Sequence, residues 1–310
     1  RRVDILPGNG QAAARARTRQ RIPGVVRRVT YFVEHLRDLI ASNRNLPTLP
    51  EVVLQLHAVL QNEMASEPQV ASIIERDPAL AGRLLKVANS AFYFRGNDAI
   101  TSVTAAVARL GLSQVHAMCL AVSVVRAFTG KGLNHRRFWR HSVAAAMTAD
   151  ALARHTTGVD PEHAYIAGLL HDVGLLVLDQ FFPDRFAELV RVVRQEGTPI
   201  WRAEEARLGL DHGEIGGLLL GRWSLSKTVA DAVAHHHHPE QAPASAAAAS
   251  CVLQATEGLT VEAGCGLPDE GPPEAVTLTG VCDLGAETLD AVRPQLAYIA
   301  EASVALLAHL

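Results

Sequence analysis

Residues 161–181 read PEHAYIAGLLHDVGLLVLDQF. Asp160 precedes Pro161, the arrangement expected of a capping residue followed by proline at the first helical position. Behind it runs an almost unbroken apolar stretch, so the segment predicts a helix from Pro161 to about Phe181 that is buried on most of its faces. Inside it sit two adjacent polar residues, His171 and Asp172. A buried histidine is most often a core residue bonded to a carbonyl, so this pair needs the rest of the chain to explain it.

Outward from that stretch the same helical signal recurs and strand signals hardly appear. On the N-terminal side, VVRRVTYFVEHLRDLI (25–40) places Val25, Val29, Phe32, Leu36 and Leu39 on one face. NLPTLPEVVLQLHAVL (45–60) carries Pro50 at a helix start. Ser66 before Pro68 and Asp77 before Pro78 mark two further starts. Residues 97–128 read as two helices joined at Leu110-Gly111-Leu112, with Ser113 capping the second, and AFYF (91–94) reads as the buried end of the preceding helix. Asn89 and Ser90 are polar residues in a helical pattern, expected to bond between packed helices. On the C-terminal side, helices are expected over 138–154, 184–196, 200–221, 225–237 and 244–258. A Gly- and Pro-rich loop follows, and then a final helix bent near Pro294. The fold class is all-α, a two-lobed helical bundle. Residues 22–130 form the first lobe and residues 131–310 the second, with a seam at TGKGLNH (129–135).

Bulk properties narrow the function. The chain has 310 residues, 48% of them hydrophobic and only 5% aromatic. Lys+Arg 29 against Asp+Glu 32 gives a net charge of -3, which offers no global field for nucleic acid or an anionic membrane. Residues 1–21 are arginine-rich without apolar periodicity and read as a disordered lead-in or linker. The chain begins with Arg, which leaves room for an upstream input domain. Cys119, Cys251, Cys265 and Cys282 show no paired spacing and are expected to be reduced thiols of a cytoplasmic protein. No wholly apolar run reaches about 18 residues, so no membrane span is expected.

The second lobe concentrates histidines: His141 in FWRHSVAAA, His171 beside Asp172, His212 in GLDHGEIGGLLL, and the run His235–His238 in AHHHHPE. Imidazole nitrogen and carboxylate oxygen suit Fe, Mn, Zn and other divalent metals, and packed helices can aim such side chains at one point. On a continuous helix His171 and Asp172 would project roughly 100° apart, one reaching a site from its centre and the other from its edge. Gly168 and Gly174 would let neighbouring backbones come close.

The order His141, His171-Asp172, His212 and a double histidine before Pro239 resembles the ligand order of the HD superfamily of metal-dependent phosphohydrolases. Seven blocks in order from Leu46 resemble the HDOD family more closely: LPTLPEVV, IIERDPALAGRLLKVANSAFY, AVARLGL, FWRHSVAAA, GLLHDVG, EEARLGLDHGEIGGLLLGRW and VAHHHHPE. That resemblance implies an all-helical bacterial signalling or regulatory protein, related to the HD enzymes but without their activity. It places the double histidine at His236 and His237 and leaves His235 and His238 as solvent-facing extras. It also implies that Glu257, in VLQATEGL, stands where the enzymes carry a final aspartate ligand.

Two departures weigh against catalysis. The HD cyclic-dinucleotide phosphodiesterases carry a Lys after the HD pair and a Gly-Tyr-Pro motif after the double histidine. This chain has Leu175 after HDVG and EQAPAS after the histidines. Lysines occur only at 86, 131 and 227, no Gly-rich phosphate loop is present, and Arg140 and Arg222 read as surface residues. The first expectation is therefore a module that binds a divalent metal through His141, His171, Asp172, His212, His236, His237 and Glu257. It would act through a signalling protein partner or a nucleotide second messenger, away from membranes and nucleic acid. The alternative is an active phosphohydrolase with Asp172 in its catalytic centre. The third is a structural adaptor with a vestigial site.

Overall fold

The structure, a computed structural model, describes residues 23–42, 46–60, 62, 64–90, 99–267 and 284–307. The expectations for residues 1–21 and 91–94, for Cys282 and for most of the loop after Cys265 lie outside them. Among the described residues every regular element is helical, as the periodicity predicts.

Six helices come first: α1 (Pro23–Ser42), α2 (Glu51–Leu60), α3 (Glu67–Ile74), α4 (Pro78–Ala88), α5 (Val103–Leu110) and α6 (Leu112–Ala127). Helices α2 to α6 pack on one another. Their starts follow from local chemistry. The Gln69 side chain accepts from the Ser66 amide at 3.1 Å, and Asp77 accepts from the amides of Ala79 and Leu80 at 2.9 and 3.1 Å. At the α5–α6 junction the caps differ from the expectation: Ser102 caps α5, and Gly111, with φ 82°, precedes α6, so Ser113 already lies inside it. Asn89 exchanges hydrogen bonds with the main chain of Ile100 at 2.8 and 2.7 Å and pins the entry to α5.

Ten helices follow: α7 (His135–Ala153), α8 (Pro161–Leu170), α9 (Val173–Phe181), α10 (Pro183–Glu196), α11 (Ile200–Leu208), α12 (His212–Arg222), α13 (Lys227–Ala234), α14 (Ala247–Glu262), α15 (Gly285–Val292) and α16 (Leu296–Leu307). The bend near Pro294 is a 3-10 turn at Arg293–Gln295. Helices α7 and α8 form the most extensive packed pair, with α14 and α16 against α7 and α12 against both α9 and α13. Helix α6 joins the two groups by packing on α8, and the Trp223 indole donates to the Pro47 carbonyl at 3.0 Å. Helix α1 lies on α11 and α12, with Phe32 edge-on to Phe182.

Three expected helices are shorter or divided, each with a local cause. The 161–181 segment breaks at His171–Asp172, where Asp172 has φ −95° and ψ 8°, a turn between α8 and α9. The 200–221 segment breaks at Gly209, whose φ of 85° suits a residue without a Cβ and closes α11. Helix α13 ends at Ala234, so the histidine run lies beyond it in a turn.

Cys119 and Cys265 are free thiols, but Cys251 is disulfide-bonded, which corrects the expectation of four reduced cysteines. Sequence spacing carries no information on which side chains the fold brings together. Among the described residues, Pro161–Phe181 is the one stretch long and apolar enough to cross a membrane, and 89% of its most apolar window is buried inside the protein.

Candidate metal centre

The centre is built around the turn between α8 and α9, where His171 Nε2 and Asp172 Oδ1 come within 3.0 Å. Asp172 Oδ1 also lies 3.3 Å from His212 Nε2, and its Oδ2 lies 3.3 Å from His141 Nε2. One carboxylate thus faces three imidazoles from α7, the α8–α9 turn and α12. Glu257 on α14 places Oε1 at 2.6 Å from His171 Nε2 and 3.5 Å from His141 Nε2. A glycine permits the approach: a Cβ on Gly174 would overlap the His212 carbonyl, so α9 and α12 can meet at their first turns only without one. At Gly168 a Cβ would stand 2.8 Å from the Ala145 carbonyl, so α7 and α8 are held close in the same way.

The tautomers of four imidazoles follow from their outer partners. His141 Nδ1 faces the Cys265 carbonyl at 3.1 Å, His171 Nδ1 the Gly168 carbonyl at 2.8 Å, and His236 Nδ1 the Val233 carbonyl at 2.7 Å. His212 Nδ1 faces Glu204 Oε2 at 2.7 Å. A carbonyl can only accept, so in each ring facing one Nδ1 carries the hydrogen, and the same tautomer best serves the His212–Glu204 pair. Nε2 of each neutral ring is then a lone pair turned inward. His141 Nε2 and His171 Nε2 stand 3.1 Å apart, an arrangement of two lone pairs that only a cation or an added proton relieves. His236 Nε2 is buried without a hydrogen-bond partner, and Asp172 Oδ2 and Glu257 Oε1 have only the inward imidazole nitrogens as polar neighbours.

The side chains fall into two donor groups, within each of which the ligand atoms lie within 4.8 Å of one another: His141, His171, Asp172 and Glu257, and His212, His236 and His237. Asp172 touches both. His141, His171, Asp172, His212 and His236 are buried to between 0% and 2% exposure, while His237 is half-buried and the Glu257 side chain keeps 22%. Electrostatics separates the rings. Burial disfavours a charge on each of them. At His171 the carboxylates of Asp172 and then Glu257 outweigh it and hold the pKa at about 10. The His141 and His212 imidazoles are raised for the same reason, by Glu257 and Asp172 in the first case and by Glu204 and Asp172 in the second. The Asp172 and Glu257 carboxyls stay well below the usual range, because the charge on the facing histidines outweighs their burial. His236 is pushed down to about 3 by burial and by His171 and His212. Once His141, His171 and His212 give up the Nε2 proton that the facing carboxylates favour, acidic oxygens among inward lone pairs form a negative well suited to a divalent cation, and the donor set fits one.

All seven residues expected at the site therefore converge. Of the other two histidines in the run, His235 turns back to the Asp231 carbonyl at 2.8 Å. His238 pairs with Glu205 and Glu240 at 2.8 and 3.3 Å. Both are half-buried and engaged, not solvent-facing, because the turn after α13 folds the run against α11 and α13. Arg222 is exposed and Arg140 half-buried, and among the described residues no Lys or Arg forms an ion pair with Asp172 or Glu257. Sequence reasoning missed Glu204 and Trp201. Glu204 is fully buried, with Oε2 also accepting from the His212 amide at 2.8 Å, and Trp201 stacks on His237. The signal available was the acidic pair EE eight and seven residues before His212.

The profile of the HDOD domain matches residues 46–239, more than half of the chain. The chain belongs to the HDOD family. An uncharacterised protein of Treponema pallidum (strain Nichols) is 27% identical over 194 residues, covering 62% of this HDOD chain but only 37% of that relative. This chain thus spans little more than a third of the curated relative it matches. Among solved structures, an HDOD domain protein of unknown function from Geobacter sulfurreducens is 26% identical with a TM-score of 0.75, over 90% of this chain and 99% of that one. A candidate signal-transduction protein from Marinobacter aquaeolei VT8 shares the HDOD-like fold at 24% identity and a TM-score of 0.76, over 91% of this chain and 66% of that one. A candidate phosphohydrolase from Shewanella amazonensis SB2B shares it at 23% identity and 0.70, over 89% and 97%.

Proposed function

We propose that this HDOD chain is a signalling or regulatory module that binds divalent metal in its HD-like centre and acts by binding a protein partner or a nucleotide-like ligand, not by catalysis. The observation that carries this reading is closure. Five of the seven donor residues are buried, and only Glu257 and His237 reach toward solvent. A hydrolytic metal site keeps a position open for substrate. His141, His171, Asp172 and Glu257 would hold one ion; His212, His236 and His237 would hold a second, with Asp172 shared between them. Mixed imidazole and carboxylate donors suit Fe, Mn or Zn. Bound there, the metal supplies positive charge that ties α7, α8, α12 and α14 together, and a change in occupancy would alter the surface those helices present.

A metal-dependent phosphohydrolase is the second reading, favoured by the shared carboxylate Asp172, which sits as a bridge between two metal positions would. Against it stands that no Lys or Arg among the described residues forms an ion pair with Asp172 or Glu257. Metal analysis of protein purified without a tag, followed by incubation with cyclic dinucleotides and a simple phosphodiester, separates the readings. Bound metal without turnover is the expected result. Turnover lost in Asp172→Ala would establish the enzyme. Protein that neither carries metal nor can be loaded would leave the structural adaptor.

A further inference from the structure

The rings of the centre are anchored differently. His141 and His171 of the first donor group, and His236 of the second, are oriented by main-chain carbonyls, which move only with the fold. His212 and His237 are oriented by side chains of one short helix, α11. Trp201 lies against His237 with ring centroids 5.3 Å apart and planes 16° from parallel. Glu204, three residues on and so on the same face, grips His212 at both its ring Nδ1–H and its backbone N–H. Glu205, next on that face, accepts from His238 Nε2 at 2.8 Å. His237 has no hydrogen bond at Nδ1 among the described residues, and its ring is held between the Trp201 indole on one side and the rings of His236 and His212, at 3.9 and 4.7 Å, on the other.

We propose that α11 is the outer clamp of the second metal position, with Glu204 and Trp201 as positioning residues, and that dependence on this clamp makes that position the weaker, exchangeable one of the two. Glu204 binds the nitrogen of His212 that faces away from the centre, which strengthens the inward Nε2 as a donor. Glu204 is fully buried, and its Oε1 has no hydrogen-bond partner, so the carboxylate is committed to His212. Helix α11 packs chiefly on α10 and α1, and α1 also lies on α12.

This inference rests on the metal reading above. The test is titration of metal-stripped full chain with Co²⁺, followed by the visible absorption of the bound ion and by metal content after desalting. Wild type should fill in two steps. Glu204→Gln and Trp201→Phe should weaken the second step about ten- to a hundredfold, with the smaller effect in Trp201→Phe, and leave the first unchanged. Circular dichroism and melting of the metal-free variants should match wild type. Trp201→Ala should exceed Trp201→Phe, because the smaller aromatic ring still stacks. Two steps in wild type with both steps unchanged, or weakened alike, in the variants would overturn the clamp alone. A wild type that takes up no Co²⁺ would overturn the metal reading and the clamp with it.

Discussion

Two clusters of imidazoles coexist in this molecule, and the rings that face carboxylates behave oppositely to those that do not. His57 on α2 and His116 on α6 stack with ring centroids 5.2 Å apart and planes at 28°. No carboxylate lies within ion-pair distance of either ring among the described residues, and both ring nitrogens of His116 and Nδ1 of His57 are buried without partners. Burial, with some help from His57 and His163, pushes His116 down to about 3. In the centre, the same degree of burial accompanies raised values at His141, His171 and His212, because Asp172, Glu257 and Glu204 stand against them. Burial by itself makes a neutral core ring; facing carboxylates and locked tautomers make a cation site.

The sharpest way to break that contrast is to remove the shared carboxylate. Asp172→Ala should abolish loading of both positions, a loss of more than about a hundredfold in metal affinity, measurable by metal content after desalting. Gly174→Ala should be next, since the added methyl meets the His212 carbonyl. A loss of about 2–3 kcal/mol in denaturant unfolding is expected, with the second position disturbed more than the first. Glu257→Gln should weaken the first position about tenfold and leave the second, a result that would separate the two donor groups.

The smallest effect belongs to the other cluster. His116→Leu removes two unpartnered buried nitrogens and should be neutral or stabilising by about 1 kcal/mol at pH 7, with metal loading unchanged. It should also improve acid resistance. The folded value of His116 is about 3 and the unfolded one 6.5, so between those limits the unfolded chain binds the extra proton. Stability therefore falls as pH drops below about 6.5 toward 3, and the variant should lose less over that window in an acid unfolding series.

The legibility of this chain followed the range of the forces. Caps at Ser66, Asp77 and Asp160, and the apolar stripes of the helices, act within a few residues and were readable as pattern. The donor residues His141, His171, Asp172, His212, His236, His237 and Glu257 were visible as residue types in a recognisable order. Glu204 and Trp201 were not, because an acidic and an aromatic residue in an amphipathic helix look like surface and core until a neighbour 8 or 36 positions away is folded against them. The Cys251 disulfide was hidden for the same reason.

By itself the amino-acid sequence determined the helical class, the family and the list of groups able to hold a metal, since periodicity, capping and residue chemistry are local properties. Only the tertiary structure decided that helix 161–181 breaks at the His-Asp pair, that α13 stops short of the histidine run, and that one carboxylate stands between two sets of inward nitrogens. Those outcomes depend on which backbones approach at Gly168 and Gly174 and on which carbonyl each Nδ1 meets, and such partners are fixed by packing across the bundle.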